Sequence, residues 1–221
     1  MKEIVIFDFC ETLVNFQTAD AYVDFVKESL NTPKLIKRDK IITKLRNTRI
    51  FSYLDFFSNG RFSIQKRLKL YILKGIKQEE LEKLALQYYE TKIKPNLIGK
   101  TIELMESYMA SGKQVWIVSG GYGMYLKYFC HEFHVNKWIS SNIKIKKGYA
   151  TGSILGKDCM NKNKVFLLKQ NLRHIGASKI IASYSDSKSD IPILSIADNA
   201  FVISHTHQKW VENVGFNEIF I

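Results

Sequence analysis

Three short apolar runs in this chain each stop at a residue with chemistry to offer, and that pattern constrains the fold more than any bulk property. Residues 3–7 (EIVIF) run into Asp8, residues 114–118 (QVWIV) into Ser119, and residues 179–184 (KIIASY) toward Asp186. Runs this short and this apolar suit strands buried on both faces of a parallel sheet. Helical patterns separate them. Ile98, Ile102, Met105 and Met109 mark a helix over 97–111, and further helices are expected over 122–133, 163–173 and 188–197, with a last strand at 200–203. Strand–helix alternation makes an open parallel α/β sheet with crossover helices. In such sheets ligands meet the carboxyl ends of the strands, so Asp8, Ser119 and Asp186 are expected to face one crevice.

The stretch after the first strand reads differently. Tyr22, Phe25, Val26 and Leu30 share one face of a helix over 17–30, which Pro33 stops. Ile41, Ile42 and Leu45 mark a second segment. Ile64, Leu68, Tyr71 and Ile72 mark a third. Leu81, Leu84, Ala85, Tyr88 and Tyr89 mark a fourth, opened by the acidic pair Glu79–Glu80 that suits a helix N-terminus. Asn59–Gly60 and Gly75 are the expected breaks, and Pro95 ends the series. The expected organisation is an α/β core of residues 1–15 and 96–221 with an all-helical module, 16–95, inserted after its first strand. Residues 142–156 alternate around Lys147–Gly148 and read as a small β-hairpin.

The formal net charge is +12. Residues 16–95 hold 17 Lys and Arg against 9 Asp and Glu, an excess of eight positive charges. Such an insert could attract an anionic substrate or nucleic acid; a solvated lysine-rich surface is the plainer reading. No helix carries a tight basic stripe interleaved with aromatics, so basicity alone does not make nucleic acid the partner. Cys10, Cys130 and Cys159 are odd in number and far apart, without metal-ligand spacing, which points to a reducing cytoplasm. No apolar run reaches the ~18 residues of a membrane span. The sequence leaves the oligomeric state open.

Taken singly, the chemical residues have ordinary explanations. Asp8 could cap a turn, or act as a nucleophile toward phosphorus. Thr12 offers a hydroxyl four residues on. Ser119 before Gly120 and Gly121 could be a plain strand-to-helix turn, or a cradle of hydroxyl and backbone N–H groups for an anion. Lys164 is one of 33 basic residues, with Lys162 a rival nearby, but its place before Val165 and Leu168 lets it point at the crevice. Asp186 and Asp190 lie four apart, and Asp186 could also cap the helix that follows. With Asp8 they make a hard oxygen set that suits Mg²⁺ better than zinc.

Their order is more specific than any member. Asp-x-x-x-Thr, Ser-Gly-Gly, Lys and Asp-x-x-x-Asp follow one another along one sheet, in "DFCETLV", "VWIVSGGYGMYL", "CMNKNK" and "YSDSKSDIPIL". This resembles the haloacid dehalogenase-like superfamily, closest to its phosphoserine-phosphatase-like branch, and the helical insert resembles that branch's cap domain. The resemblance implies a Rossmann-like core and a Mg²⁺-dependent phosphatase acting on a small phosphorylated metabolite. It implies Asp8 as nucleophile and metal ligand, the backbone carbonyl of Cys10 as a second ligand, and Asp186 as a third, with Asp190 orienting the metal or its water. Ser119 and the Gly120 amide would hold the phosphoryl group, and Lys164 would bridge it to Asp8.

Two departures qualify the activity. Position 10, an aspartate in most phosphatases of the superfamily, is Cys10, followed by Glu11. The carbonyl ligand survives; the acid–base group does not, and its loss typically costs ~10²–10⁴ in rate. A slow or specialised enzyme is expected, with Glu11 a candidate substitute and a binding or regulatory relative the alternative. The second departure is Gln17, where phosphoserine phosphatases carry a glutamate for the substrate's ammonium. Lys69, with Arg67 close by, falls near the position of the arginine that meets the carboxylate, and Lys does not replace Arg in bidentate binding. L-Phosphoserine is therefore disfavoured. A nucleic-acid end phosphatase stays open on the basic insert alone.

Overall fold

The computed structural model describes residues 1–47 and 64–221. The expected break at Asn59–Gly60 lies outside them. The centre of the molecule is β1 (Lys2–Phe7), whose Ile4, Val5, Ile6 and Phe7 are all buried. It pairs in parallel with β2 (Gln114–Tyr122), Ile4 opposite Gln114, and on its other side with β5 (Ser178–Ser185), Ile4 opposite Ile180. With β3 (Lys137–Lys146), β4 (Tyr149–Leu155), β6 (Asn199–Ser204) and β7 (Asn217–Phe220), the sheet has seven strands in the order β4-β3-β2-β1-β5-β6-β7. Every pairing is parallel except β3 with β4. This is the open α/β sheet that the apolar runs predict, with the Rossmann-like topology that the resemblance implies.

Among the described residues the helical stretch includes α1 (Thr18–Leu30), α2 (Pro33–Arg46), α3 (Ile64–Tyr71) and α4 (Gln78–Tyr88). Pro33 both stops α1 and opens α2: it occupies the first helical turn, where its missing N–H costs nothing, while Thr32 Oγ1 accepts from the Leu35 N–H at 3.4 Å. Leu81, Leu84, Ala85, Tyr88 and Tyr89 are all buried, as their spacing implies. Tyr22, Tyr88 and Tyr125 pack with ring centroids 5.3 Å apart, tying α1 and α4 to α6 (Gly123–Glu132). Each such ring pair is worth about 0.5–1.5 kcal/mol beyond its buried area. The core side is completed by α5 (Gly99–Ala110), α7 (Lys162–Leu172), the single turn α8 (Ile191–Leu194) and α9 (Lys209–Val214).

The hairpin stands where it is expected, with Asn142 opposite Leu155 and Lys146 opposite Tyr149, and its first strand also reaches back to Lys137 to continue the parallel ladder with β2. Other expectations need correction. The helix expected over 188–197 is a 3-10 turn, Lys188–Asp190, followed by α8. Its cap is Ser187, whose side chain accepts from the Ser189 N–H, so Asp186 is released from capping. The chain does not finish with β6; α9 and β7 follow and extend the sheet edge. Finally, on α3 the buried set includes Lys66 and Lys69, while Tyr71 is exposed; Ile41 and Leu45 of α2 are exposed too.

The hairpin also grips the helical stretch. Gly75 takes φ +84°, a conformation that favours glycine, and its N–H donates to Ala150 O at 2.8 Å. Gln78 N–H donates to Gly148 O at 2.8 Å, and Ala150 N–H to Ile76 O at 2.9 Å.

Candidate active site

Strand ends place three of the candidate residues, Asp8, Ser119 and Asp186. Asp8 follows β1 directly, its N–H extending the ladder to Tyr184 O at 2.9 Å. Behind it the chain folds into a tight turn, with Leu13 N–H donating to Phe9 O at 2.9 Å and Glu11 at φ +53°. Ser119 to Gly121 close β2 at the start of α6. A side chain at residue 121 would put its Cβ 2.9 Å from Tyr125 Oη, so only glycine lets α6 approach this closely. Asp186 follows β5, and α7 delivers Lys164 from above.

These residues line one cavity of about 280 Å³, which Asp8, Cys10, Ser119, Gly120, Lys164, Asp186 and Asp190 share with Gln17. Lys164 is buried, whereas Lys162 is exposed. The Lys164 Nζ lies 3.0 Å from Asp8 Oδ1 and 2.5 Å from Asp190 Oδ2. The contact with Asp8 is an ion pair rather than an aligned hydrogen bond, since Asp8 Oδ1 has no hydrogen-bond partner. Burial works against the lysine's charge, but Asp8 and Asp190 outweigh it and hold the ammonium above its ordinary pKa. Asp190, read from sequence as metal-binding, has Oδ2 engaged by Lys164 and, at 2.6 Å, by Ser185 Oγ. Its first task here is to hold the lysine. Thr12 does not line the cavity; its Oγ1 donates to Asp186 Oδ1 at 3.4 Å.

Burial penalises the charge of both carboxylates. Burial raises the Asp8 carboxyl, with Lys164 pulling down and Asp190 pushing further up. Asp186 is pushed up to about 8 by burial, then by Asp8 and Glu11. Two buried carboxylates that resist ionisation, with Asp8 Oδ1 holding an ion pair but no hydrogen bond, suit a further cation beside them. Asp8, Asp186 and the Cys10 carbonyl are the hard oxygens that would suit Mg²⁺. Among the described residues no group of three or more His, Cys, Asp or Glu forms an all-protein metal cage.

Cys10 faces the same cavity, but its thiol is buried, with Sγ 3.0 Å from Thr18 Oγ1, itself 2.7 Å from Tyr125 Oη. Burial, then the charge of Asp8, pushes the thiol up to about 11. It is a neutral group at physiological pH. Gln17 Nε2 donates to Glu11 Oε2 at 2.6 Å at the rim.

The expected substrate contacts from α3 are replaced. Lys69 Nζ donates to Asp24 Oδ1 at 2.6 Å, and neither Lys69 nor Arg67 lines the cavity. Arg46, Gln65 and Lys66 do. Arg46 pairs with Asp20 at 2.5 Å and donates from Nε to Gln65 Oε1 at 3.0 Å. Helical periodicity marks none of these, because it scores charged residues as solvent-facing.

Residues 5–195 match the family model of the haloacid dehalogenase-like hydrolases. The chain belongs to this family. It is 25% identical over 214 residues to a histidinol-phosphatase of Neisseria meningitidis serogroup C (strain 8013), covering 92% of this chain and 91% of that protein. Its fold is similar to that of a Bordetella pertussis Tohama I protein of unknown function (TM-score 0.79, 19% identity, 99% and 98% of the two chains). It is also similar to a substrate-bound phosphoserine phosphatase (TM-score 0.65, 19% identity, 99% and 93%). Among the described residues of this family member, no helix is long and apolar enough to cross a membrane.

Proposed function

We propose that this family member is a Mg²⁺-dependent phosphatase that cleaves small phosphate monoesters through a covalent phosphoryl group on Asp8. The observation that supports it most is the Lys164 ammonium held 3.0 Å from Asp8 in a cavity that also contains Ser119 and Gly120. A carboxylate nucleophile, a fixed cation and an anion cradle then share one space. A cavity of about 280 Å³ suits a metabolite rather than a nucleic-acid strand. Arg46, Lys66 and Lys69 are each paired with a carboxylate, so they add nothing to the nucleic-acid reading.

The chain's own residues divide the work as follows. Asp8 attacks phosphorus, the P–O bond to the alcohol breaks, and the alkoxide takes a proton. Water then attacks the same phosphorus, releasing phosphate and restoring the Asp8 carboxylate. Ser119 and the Gly120 N–H bind the phosphoryl oxygens as they pass, and Lys164, oriented by Asp190, balances their charge. Mg²⁺ held by Asp8, Asp186 and the Cys10 carbonyl would supply Lewis-acid neutralisation of the phosphoryl oxygens. With Cys10 a neutral thiol, proton delivery is the weak step, so the enzyme is slow or specialised.

Metal dependence tests the reading. EDTA-treated protein should release phosphate from every substrate at a small fraction of the Mg²⁺-supplemented rate; equal rates would remove Asp186 from the mechanism. L-Histidinol phosphate comes first in the panel, on the similarity to a histidinol-phosphatase, beside sugar, polyol and amino-acid phosphates. L-Phosphoserine should rank low, because Gln17 is a neutral amide committed to Glu11 and Lys69 is committed to Asp24. Phosphoserine emerging as the best compound in that panel would contradict this account of the rim.

A further inference from the structure

Lys66 is a buried ammonium that the mechanism above does not use. It sits on α3, remote in sequence from the core residues it touches. Its Nζ donates to Gly120 O at 2.6 Å, to Ser141 Oγ at 3.0 Å and to Asp158 Oδ1 at 2.5 Å, and lies 5.3 Å from the Tyr122 ring centroid. Three acceptors match the three N–H groups of an ammonium. Asp158 is itself buried, and accepts from Ser141 Oγ at 2.5 Å.

The bond to Gly120 O matters most. That carbonyl shares a peptide plane with the Gly121 N–H, which donates to Ser119 Oγ at 3.2 Å. A continuous chain therefore runs from the Lys66 cation through one peptide group to the Ser119 hydroxyl. A cation on the carbonyl polarises the peptide and strengthens its N–H as a donor. A hydroxyl that accepts a strong bond is a better donor in turn. Among the described residues Ser119 Oγ acts only as an acceptor, and Ser119 lines the cavity, so its proton has the substrate space to address. Lys66 also joins, through Asp158 and Ser141, the loop that leads into α7 and Lys164: Cys159 N–H donates to Ser141 Oγ at 3.1 Å.

We infer that Lys66 is a positioning residue for phosphoryl transfer, acting through the Gly120–Gly121 peptide to aim and activate the Ser119 hydroxyl. The inference rests on the reading of Asp8, Ser119 and Lys164 as a phosphate site. It gives the helical stretch a part in the chemistry itself, since one of its side chains tunes a group that the core supplies.

Lys66→Met alone would strand Asp158 without its cation, so the test variant pairs Lys66→Met with Asp158→Asn, removing both charges at similar volume. With p-nitrophenyl phosphate and Mg²⁺, the pair should lower kcat ~10–100-fold and weaken inhibition by inorganic phosphate by a similar factor, less than the ~10²–10³ of deleting an oxyanion donor outright. The same pair built on Ser119→Ala should change either quantity by no more than about twofold, because residues that act as a unit are not additive. Wild-type kcat and phosphate inhibition in the pair would overturn the inference, as would an equal loss with and without Ser119→Ala. If the pair does not fold, Lys66→Arg decides, since its longer, planar head cannot keep all three bonds: a loss that vanishes in the Ser119→Ala background supports the role, and no loss, or a loss that persists there, overturns it. An Asp8→Asn variant with undiminished turnover would sink the phosphatase reading itself, a result no Lys66 variant can produce.

Discussion

Asp8→Asn is expected to cut turnover by at least ~10⁴-fold on every substrate, the scale on which removal of a covalent nucleophile acts. The fold should survive. Asparagine is near-isosteric, and the charge it removes is one that burial disfavours. Lys164 keeps Asp190 as its counter-ion at 2.5 Å. The variant should therefore melt no lower than the parent, and a scan of both proteins alongside an initial-rate assay checks the two statements together. Full activity in a folded Asp8→Asn protein would remove Asp8 as the carrier of the phosphoryl group.

Cys10→Asp should do the opposite and raise the rate on alkyl phosphates, by up to ~10²-fold. The thiol, held up at about 11, is almost wholly protonated near neutrality and so is a scarce base for the attacking water. It is also a poor hydrogen-bonding acid for a departing alkoxide. A carboxyl at the same place would have its pKa raised by burial and by the charge of Asp8, with the Thr18 hydroxyl pulling the other way, and a raised pKa is what a general acid requires. The gain should shrink on p-nitrophenyl phosphate when the first step limits, since a phenolate leaves without a proton. A folded, Mg²⁺-binding Cys10→Asp variant no faster on any alkyl phosphate would shift acid–base work to Glu11, which raises the Asp186 pKa and is held by Gln17.

The parts of this site legible in the sequence are those fixed by local pattern. EIVIF, QVWIV and KIIASY are short apolar runs that suit interior strands, and their ends locate Asp8, Ser119 and Asp186. Lys164 is separable from Lys162 because it precedes an apolar helical face. Lys66 and Lys69 are not legible as buried, because a lysine's burial depends on a partner elsewhere in the chain, and neither Asp158 nor Asp24 carries a local signal. The last strand, Asn217–Phe220, escapes because four residues at a sheet edge carry too few apolar positions to set a period. Spacing from Asp186 assigns Asp190 to the metal, and spacing says nothing of Ser185, whose hydroxyl joins Lys164 on its Oδ2.

The position of β1 has a consequence for how the protein is made. Its partners start at residues 114 and 178, so the sheet's first strand waits for about half of the chain before one neighbour exists and for most of it before the other does. Until then Ile4 to Phe7 form a bare apolar edge of the kind that invites aggregation. Long loop closure before any reward makes such pairing slow. The helical stretch can collapse on its own contacts in the interval, but Asp8 and Asp186 meet only when β5 docks. Chains stalled before residue 178 would therefore be partly folded and inactive, and they are the natural clients of a chaperone.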